Sequence, residues 1–205
     1  MSLREDFEKF QSNWQKFFFE PVSPVPMALF RISTGIIVVQ CLVIHILSDW
    51  SLFYGDQAIL PIESMIGKYW YTNPYFDLML VLPQEEIWRW YFFWFTVVCA
   101  VLMTLGLFTR VTTTLTFLCL MSLQTHFLLN QNAGDNYLRI VCLFLAFSNC
   151  GDALSLDRLI KSCREDWRVK GFLAPHSSPW AQRLIQLQIA IAYAQAGAKV
   201  VLVGR

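Results

Sequence analysis

The chain has 205 residues, of which 56% are hydrophobic, 16% aromatic and 15% charged, with a mean hydropathy of +0.44. Soluble domains carry about 25% charged residues, so this composition argues against a water-soluble globule. The formal net charge of +1 gives no electrostatic footing for nucleic acid.

Residues 1–26 read as a cytoplasmic amphipathic segment. Phe7, Phe10, Trp14 and Phe17 follow helical spacing, with Glu8, Lys9, Asn13 and Lys16 between them. That pattern suits a helix lying in the membrane interface, or one packed on a partner or a cytoplasmic connector. Arg4-Glu5-Asp6 and the absence of an apolar core with a cleavage site argue against a signal peptide, so the first span is expected to direct its own insertion. Pro21, Pro24 and Pro26 then interrupt any helix leading into that span.

Five apolar runs follow, at 27–47, 87–108, 111–129, 136–150 and 180–203. Their lengths approach or exceed the ~20 residues needed to cross a hydrocarbon core. The fold class expected is all-α: a polytopic transmembrane bundle of about five spans over 27–205, with an N-terminal interfacial helix. A short turn at Thr109-Arg110 is expected between the second and third runs. With the N-terminus inside, the inner segments hold Arg4, Lys9, Lys16, Arg110, Arg158, Lys161, Arg164, Arg168 and Lys170, and the outer ones only Lys68. This asymmetry fixes the orientation by the positive-inside rule, with the N-terminus cytoplasmic. The outer connector 49–86 is rich in Trp, Tyr and Phe and punctuated by Pro61, Pro74 and Pro83. It reads as belt helices or a cap over the outer face, with an apolar-ligand role as the alternative.

Polar side chains inside spans are costly and therefore point to function. Arg31, Arg89, Arg139 and Arg183 lie near span ends, and the ordinary reading is that each reaches out to the headgroups. Gln188, Ala192, Gln195 and Lys199 share one face of the fifth span, with Gln182, Gln186 and Tyr193 on a second strip. Ala190, Ala194 and Ala198 form a small-residue row. Such a helix is expected to pack inside a bundle or to line a cavity. Lys199 is either a base of depressed pKa or an interfacial anchor. Between the third and fourth spans lies the polar loop 130–137, with His126 one turn before it. Asp135 there suits a general base or ion ligand; the alternative is a cap of the fourth helix. His45 stands in the first span without an evident partner and reads as a structural histidine. The six cysteines show no CxxC or Cys/His metal spacing. No HExxH, nucleophile elbow, phosphate loop or dinucleotide fingerprint occurs, and Gly106 and Gly134 stand alone.

The order of short motifs resembles a known family. Phe30-Arg31 opens the first span, with Gly35 following; Tyr54-Gly55-Asp56 and Leu60-Pro61 stand in the outer connector. Leu105-Gly106-Leu107 and Arg110 close the second span, and Gly134-Asp135-Asn136-Tyr137-Leu138 opens the fourth. Ser155-Leu156-Asp157-Arg158-Leu159, Trp180, Gln188-Ile189, Ile191, Tyr193, Ala196-Gly197 and Lys199 complete the series. From residue 28 to 199 this resembles the HTTM family, the membrane region shared by vitamin K-dependent gamma-carboxylases and bacterial relatives.

The resemblance implies an outward working face. For the carboxylases it implies oxidation of a reduced vitamin K quinol, with a lysine base after Ala-Gly and a histidine in the outer loop. The carboxylase pattern is Ala-Gly-Val-Lys-Lys, with the second lysine as base. Here Ala196-Gly197-Ala198-Lys199 is followed by Val200, so Lys199 matches the first lysine, and Asp135 stands where the histidine would be. One helical residue is ~100° of rotation, so Lys199 does not simply replace its neighbour. The leading expectation is a membrane protein with an outward site binding, or assisting modification of, an exported peptide or lipid-like ligand. Its candidate residues are Lys199 and Asp135 for chemistry and Asn132, Asn136, Tyr193, Gln195, Gln188 and His126 for binding. A carboxylase-type enzyme using a reduced quinol is the alternative, and a transporter or channel component the third.

Overall fold

A computed structural model describes residues 3–55, 77–83, 85–126, 133–164 and 179–203. The described residues are helical, with no strand among them. Helix α1 covers Leu3–Phe19, and α2 covers Val25–Gln40 and runs on without a break into a π-helical segment, Cys41–Ile46. A short α3, Trp50–Phe53, follows, then a 3₁₀ turn at Leu78–Leu80. The remaining helices are α4 (Glu86–Leu105), α5 (Thr109–His126), α6 (Ala133–Phe147), α7 (Leu156–Arg164) and α8 (Trp180–Val203).

Helix α2 packs on α4, α4 on α5 and α5 on α6; α6 also touches α2, which closes a four-helix ring. Helix α8 leans on α6, and α1 on α8. One core cluster joins Val38 and Leu42 of α2, Phe93 and Val97 of α4, Leu120 and Leu123 of α5 and Cys142 of α6. A second joins Met27, Val141, Leu145, Ala181 and Ile185.

Two helical stretches, Val25–Ile46 and Glu86–Leu105, are long and apolar enough to cross a membrane, and only 39% of each is buried inside the bundle. A core helix of a soluble protein would be mostly buried. On α4, Ile87, Tyr91, Trp94, Val98, Val101 and Leu105 form an exposed apolar seam at helical spacing. Helix α5 differs. Its Thr112, Thr113 and Thr116 are buried, and each hydroxyl donates back to a carbonyl on its own helix, as Thr116 does to Thr112 O at 2.7 Å. Those donors are satisfied internally, so this central helix tolerates polar side chains at low cost.

The turn between α4 and α5 lies at 106–108, just before the position expected from sequence. Gly106 adopts φ 73°, and the amides of Gly106 and Leu107 both return to Leu102 O. This is a Schellman stop, which favours glycine. The next helix begins at once because Asp157 caps it. The Asp157 carboxylate accepts from the Phe108 and Thr109 amides and the Thr109 hydroxyl, each at 2.8 Å. Burial alone would raise the Asp157 carboxyl. The bonds from Thr109 and Phe108, with Lys161 nearby, instead hold it below its ordinary value.

Arg31 is the hub beneath this turn. Its side chain is fully buried; Nη1 donates to Cys150 O at 3.2 Å and Nη2 to Leu154 O at 2.7 Å. The expectation that Arg31 and Arg89 reach out to headgroups is therefore corrected, since both are at most 5% exposed. For Arg31 the reason is local. The chain between α6 and α7 turns its carbonyls inward, and a guanidinium offers five donors in one plane. Arg139 is only partly buried and donates to Asn136 Oδ1 at 2.8 Å. Arg183 lies 4.5 Å from the Phe17 ring and donates to Gln186. That contact joins α1 to α8, while Phe7, Phe10 and Trp14 stay exposed.

The Asp157 cap carries the first prediction. Asp157→Ala strands two amides and a hydroxyl, and should cost about 2 kcal/mol. That is a fall of ~4–8 °C in the thermal midpoint of detergent-solubilised protein. A carboxyl whose folded value is depressed stabilises fully above its unfolded value, ~3.9, and the contribution disappears as pH falls through the lower folded value. The gap between variant and parent should therefore stay constant from about pH 8 to 5 and close below about pH 4. A gap that widened on acidification would contradict the cap.

Candidate functional site

A cavity of ≈ 510 Å³ lies between α2, α5 and α6. This is within the usual range for small-molecule sites. Asp49, in the turn beyond the helix, adds to a wall that α2 and its π-helical extension supply with Phe30, Thr34, Ile37, Cys41, His45 and Ile46. Most of these positions recur at three and four residues, so they share one helix face. The helical wall runs from Phe30 to Ile46, which at 1.5 Å per residue is at most ~24 Å. The cavity is therefore a slot along the bundle axis.

The slot is graded. Its inner part is bounded by Phe30, Ile37, Leu138 and Val141, with the Thr34 hydroxyl group as the one polar side chain among them. Its outer part holds His45, Asp49, Tyr54, Gln124, Asp135 and Tyr137. Tyr54 is held in place: its hydroxyl donates to Leu123 O at 2.7 Å and its ring stacks on Trp50 at 4.9 Å. Nearby, Ser122 Oγ donates to Asp77 Oδ1 at 2.7 Å and accepts from the Leu78 amide at 2.9 Å, tying the 3₁₀ turn to α5. The Tyr137 hydroxyl is buried with no hydrogen-bond partner among the described residues.

The π-helical segment sits in the wall of this slot. The Leu47 amide returns to Leu42 O at 3.0 Å, a five-residue step. Such an insertion adds a residue to one turn and re-aims the side chains beyond it; π segments gather at functional sites. Cys41, Leu42, His45 and Ile46 of this segment line the slot, and Leu42 also belongs to the buried core. Asp135, from α6, lines the same cavity as this segment.

Of the residues singled out from sequence, Asp135 lines the cavity, in the first turn of α6, with Arg139 acting on it from one turn along. Asn136 is exposed beside Arg139. Tyr193 and Gln195 are exposed on α8, Gln188 is half-buried there, and none of the three lines the cavity. Tyr193 is near enough to Tyr137 to interact with it electrostatically. Lys199 lies on α8 and His126 ends α5, but both side chains are outside the described residues, as is all of Asn132.

The expected burial of the polar faces of α8 is not met, since residues 190–195 are exposed. The packing of α8 on the rest of the bundle runs through Ala181, Ile185 and Ile189, near its start.

His45, Asp49, Tyr54, Gln124 and Tyr137 are site residues that sequence reasoning did not select. A signal was present, because Cys41, His45 and Asp49 stand four apart. The series of motifs also divides in space. Arg31, Gly106, Arg110 and Asp157 gather at the inner turn, where Arg110 donates to Asn149 Oδ1 at 2.7 Å. Tyr54, Asp135 and Tyr137 gather at the slot. No family model matches the chain, and neither a curated protein nor a solved structure matches it.

Proposed function

We propose that this is an integral membrane protein of about five spans, of HTTM type, whose outward-facing slot binds a lipid-like ligand. The observation that carries the reading is the graded slot beside the π-helical segment. Membrane embedding rests on the half-exposed apolar surfaces of α2 and α4, which water would penalise as one contiguous patch. Orientation rests on the nine-to-one distribution of basic residues, with the N-terminus cytoplasmic and α1 in the inner interface.

The slot favours a chain-like amphiphile over a peptide. A helix ~24 Å long and ~10 Å across needs roughly four times the ≈ 510 Å³ of the cavity. An extended peptide would fit lengthwise, but its amides would meet apolar walls, and each unsatisfied group costs several kcal/mol. A hydrocarbon or isoprenoid tail has no such groups. The carboxylase-type alternative requires Lys199 at the ligand, and no described residue of α8 lines the slot.

Ile37 is 48% exposed and also lines the slot. Ile37→Trp therefore adds bulk to the cavity with little strain in the core. In neutral nanodiscs, a nitroxide-labelled eighteen-carbon alcohol should give a motionally restricted spectral component with the parent protein. The variant should reduce that component by roughly tenfold in affinity, about 1.4 kcal/mol, with an unchanged melting midpoint. Equal restriction in both proteins would refute a ligand in the slot.

A further inference from the structure

The geometry points to the class of headgroup: the slot takes an amphiphile whose polar end is a cation, of the ammonium kind. This rests on the reading of the slot as a lipid-like binding site.

The charged side chains lining the cavity are Asp49 and Asp135, and among the described residues no lysine or arginine lines it. Both belong to its outer part, opposite the apolar inner walls. They come from different elements. Asp49 follows the π-helical segment and forms no side-chain cap on α3, while Asp135 stands in the first turn of α6. Asp135 is partly balanced by Arg139 and by the start of its own helix. Asp49, in the turn after the π-helical segment, gives the mouth its second carboxylate. His45, four residues before Asp49, lines the same wall.

An anionic head entering this mouth would meet like charge in a region of reduced dielectric, where a unit pair ~5 Å apart interacts far more strongly than in water. A cation gains the same attraction. The aromatic groups act in the same sense: Tyr54 and Tyr137 also line the cavity, and aromatic rings attract an ammonium ion. The apolar run toward Phe30 holds the tail.

Three nitroxide-labelled eighteen-carbon probes, identical except for a trimethylammonium, hydroxyl or carboxylate head, are titrated into the full chain in neutral nanodiscs at pH 7. The ammonium probe is expected to bind at least tenfold more tightly than the carboxylate, with the alcohol between them. Asp49→Asn should shrink that ratio to about threefold or less, and raising the salt concentration should shrink it too. Equal affinity of the three probes would overturn the cationic preference while leaving the slot reading intact. Failure of all three to bind would remove both. Tighter binding of the carboxylate would assign the head to Arg139 and overturn the proposal. The melting midpoint of Asp49→Asn and the salt response of the parent protein provide independent readouts.

Discussion

Arg31→Ala should destabilise the protein by about 3–5 kcal/mol, the largest loss expected from any single truncation in the bundle. The guanidinium is fully buried and bridges Cys150 O and Leu154 O, over a hundred positions away in sequence. Each such charge-assisted bond contributes ~1.5–3 kcal/mol, and removal also leaves two inward carbonyls and a void. Leu154 itself holds φ 47°, a conformation that needs its surroundings to sustain it. Arg31→Lys should recover little, because one ammonium cannot reproduce the planar fork. Thermal unfolding in detergent measures this. A loss below about 1 kcal/mol would show that Arg31 is not the hub of the inner turn.

The second large effect is expected at Gly106. A left-handed conformation costs an alanine about 1–2 kcal/mol. In addition, a Cβ there would run into the Arg31 guanidinium and lie 2.6 Å from Ser155 Cβ. Gly106→Ala should therefore cost about 3 kcal/mol, more than the backbone alone explains. The two predictions are coupled. In an Arg31→Ala background the guanidinium is absent, so Gly106→Ala should cost at least ~1 kcal/mol less than it does in the parent. Strict additivity would mean that the strain is confined to the backbone.

Much of the architecture was legible because hydrophobic run length and helix punctuation are local properties. The fifth apolar run coincides with α8, and the first agrees with α2 and its π extension within two residues at each end. Gly106 marks a helix end through its own φ. The same glycine appeared isolated in sequence, because its contacts, Arg31 and Ser155, come from distant positions. Arg31 was misread for the same reason: a position near a span end suggests an escape to water, and only the tertiary path of 150–154 offers carbonyls instead. Asp135 was legible as a candidate because it is the one carboxylate in the polar loop 130–137 between two apolar runs. The slot was not, because it belongs to three helices, and the π segment that shapes one wall leaves no mark in Cys41–Ile46 beyond an ordinary apolar run with a histidine in it. The polar strips of α8 were legible, but their surroundings depend on where along the helix its packing ends, near Ile189.

The account depends most on an outward slot mouth in a membrane-embedded bundle, and thiol labelling in intact cells tests it directly. Cys163 is exposed on α7, on the inner side in this topology, and Asp49 marks the mouth. Asp49→Cys should react with a membrane-impermeant maleimide from outside, and the eighteen-carbon alcohol should slow that reaction. Native Cys163 should react only after permeabilisation. Labelling of Cys163 from outside, or reaction of both thiols from the same side, would contradict the account.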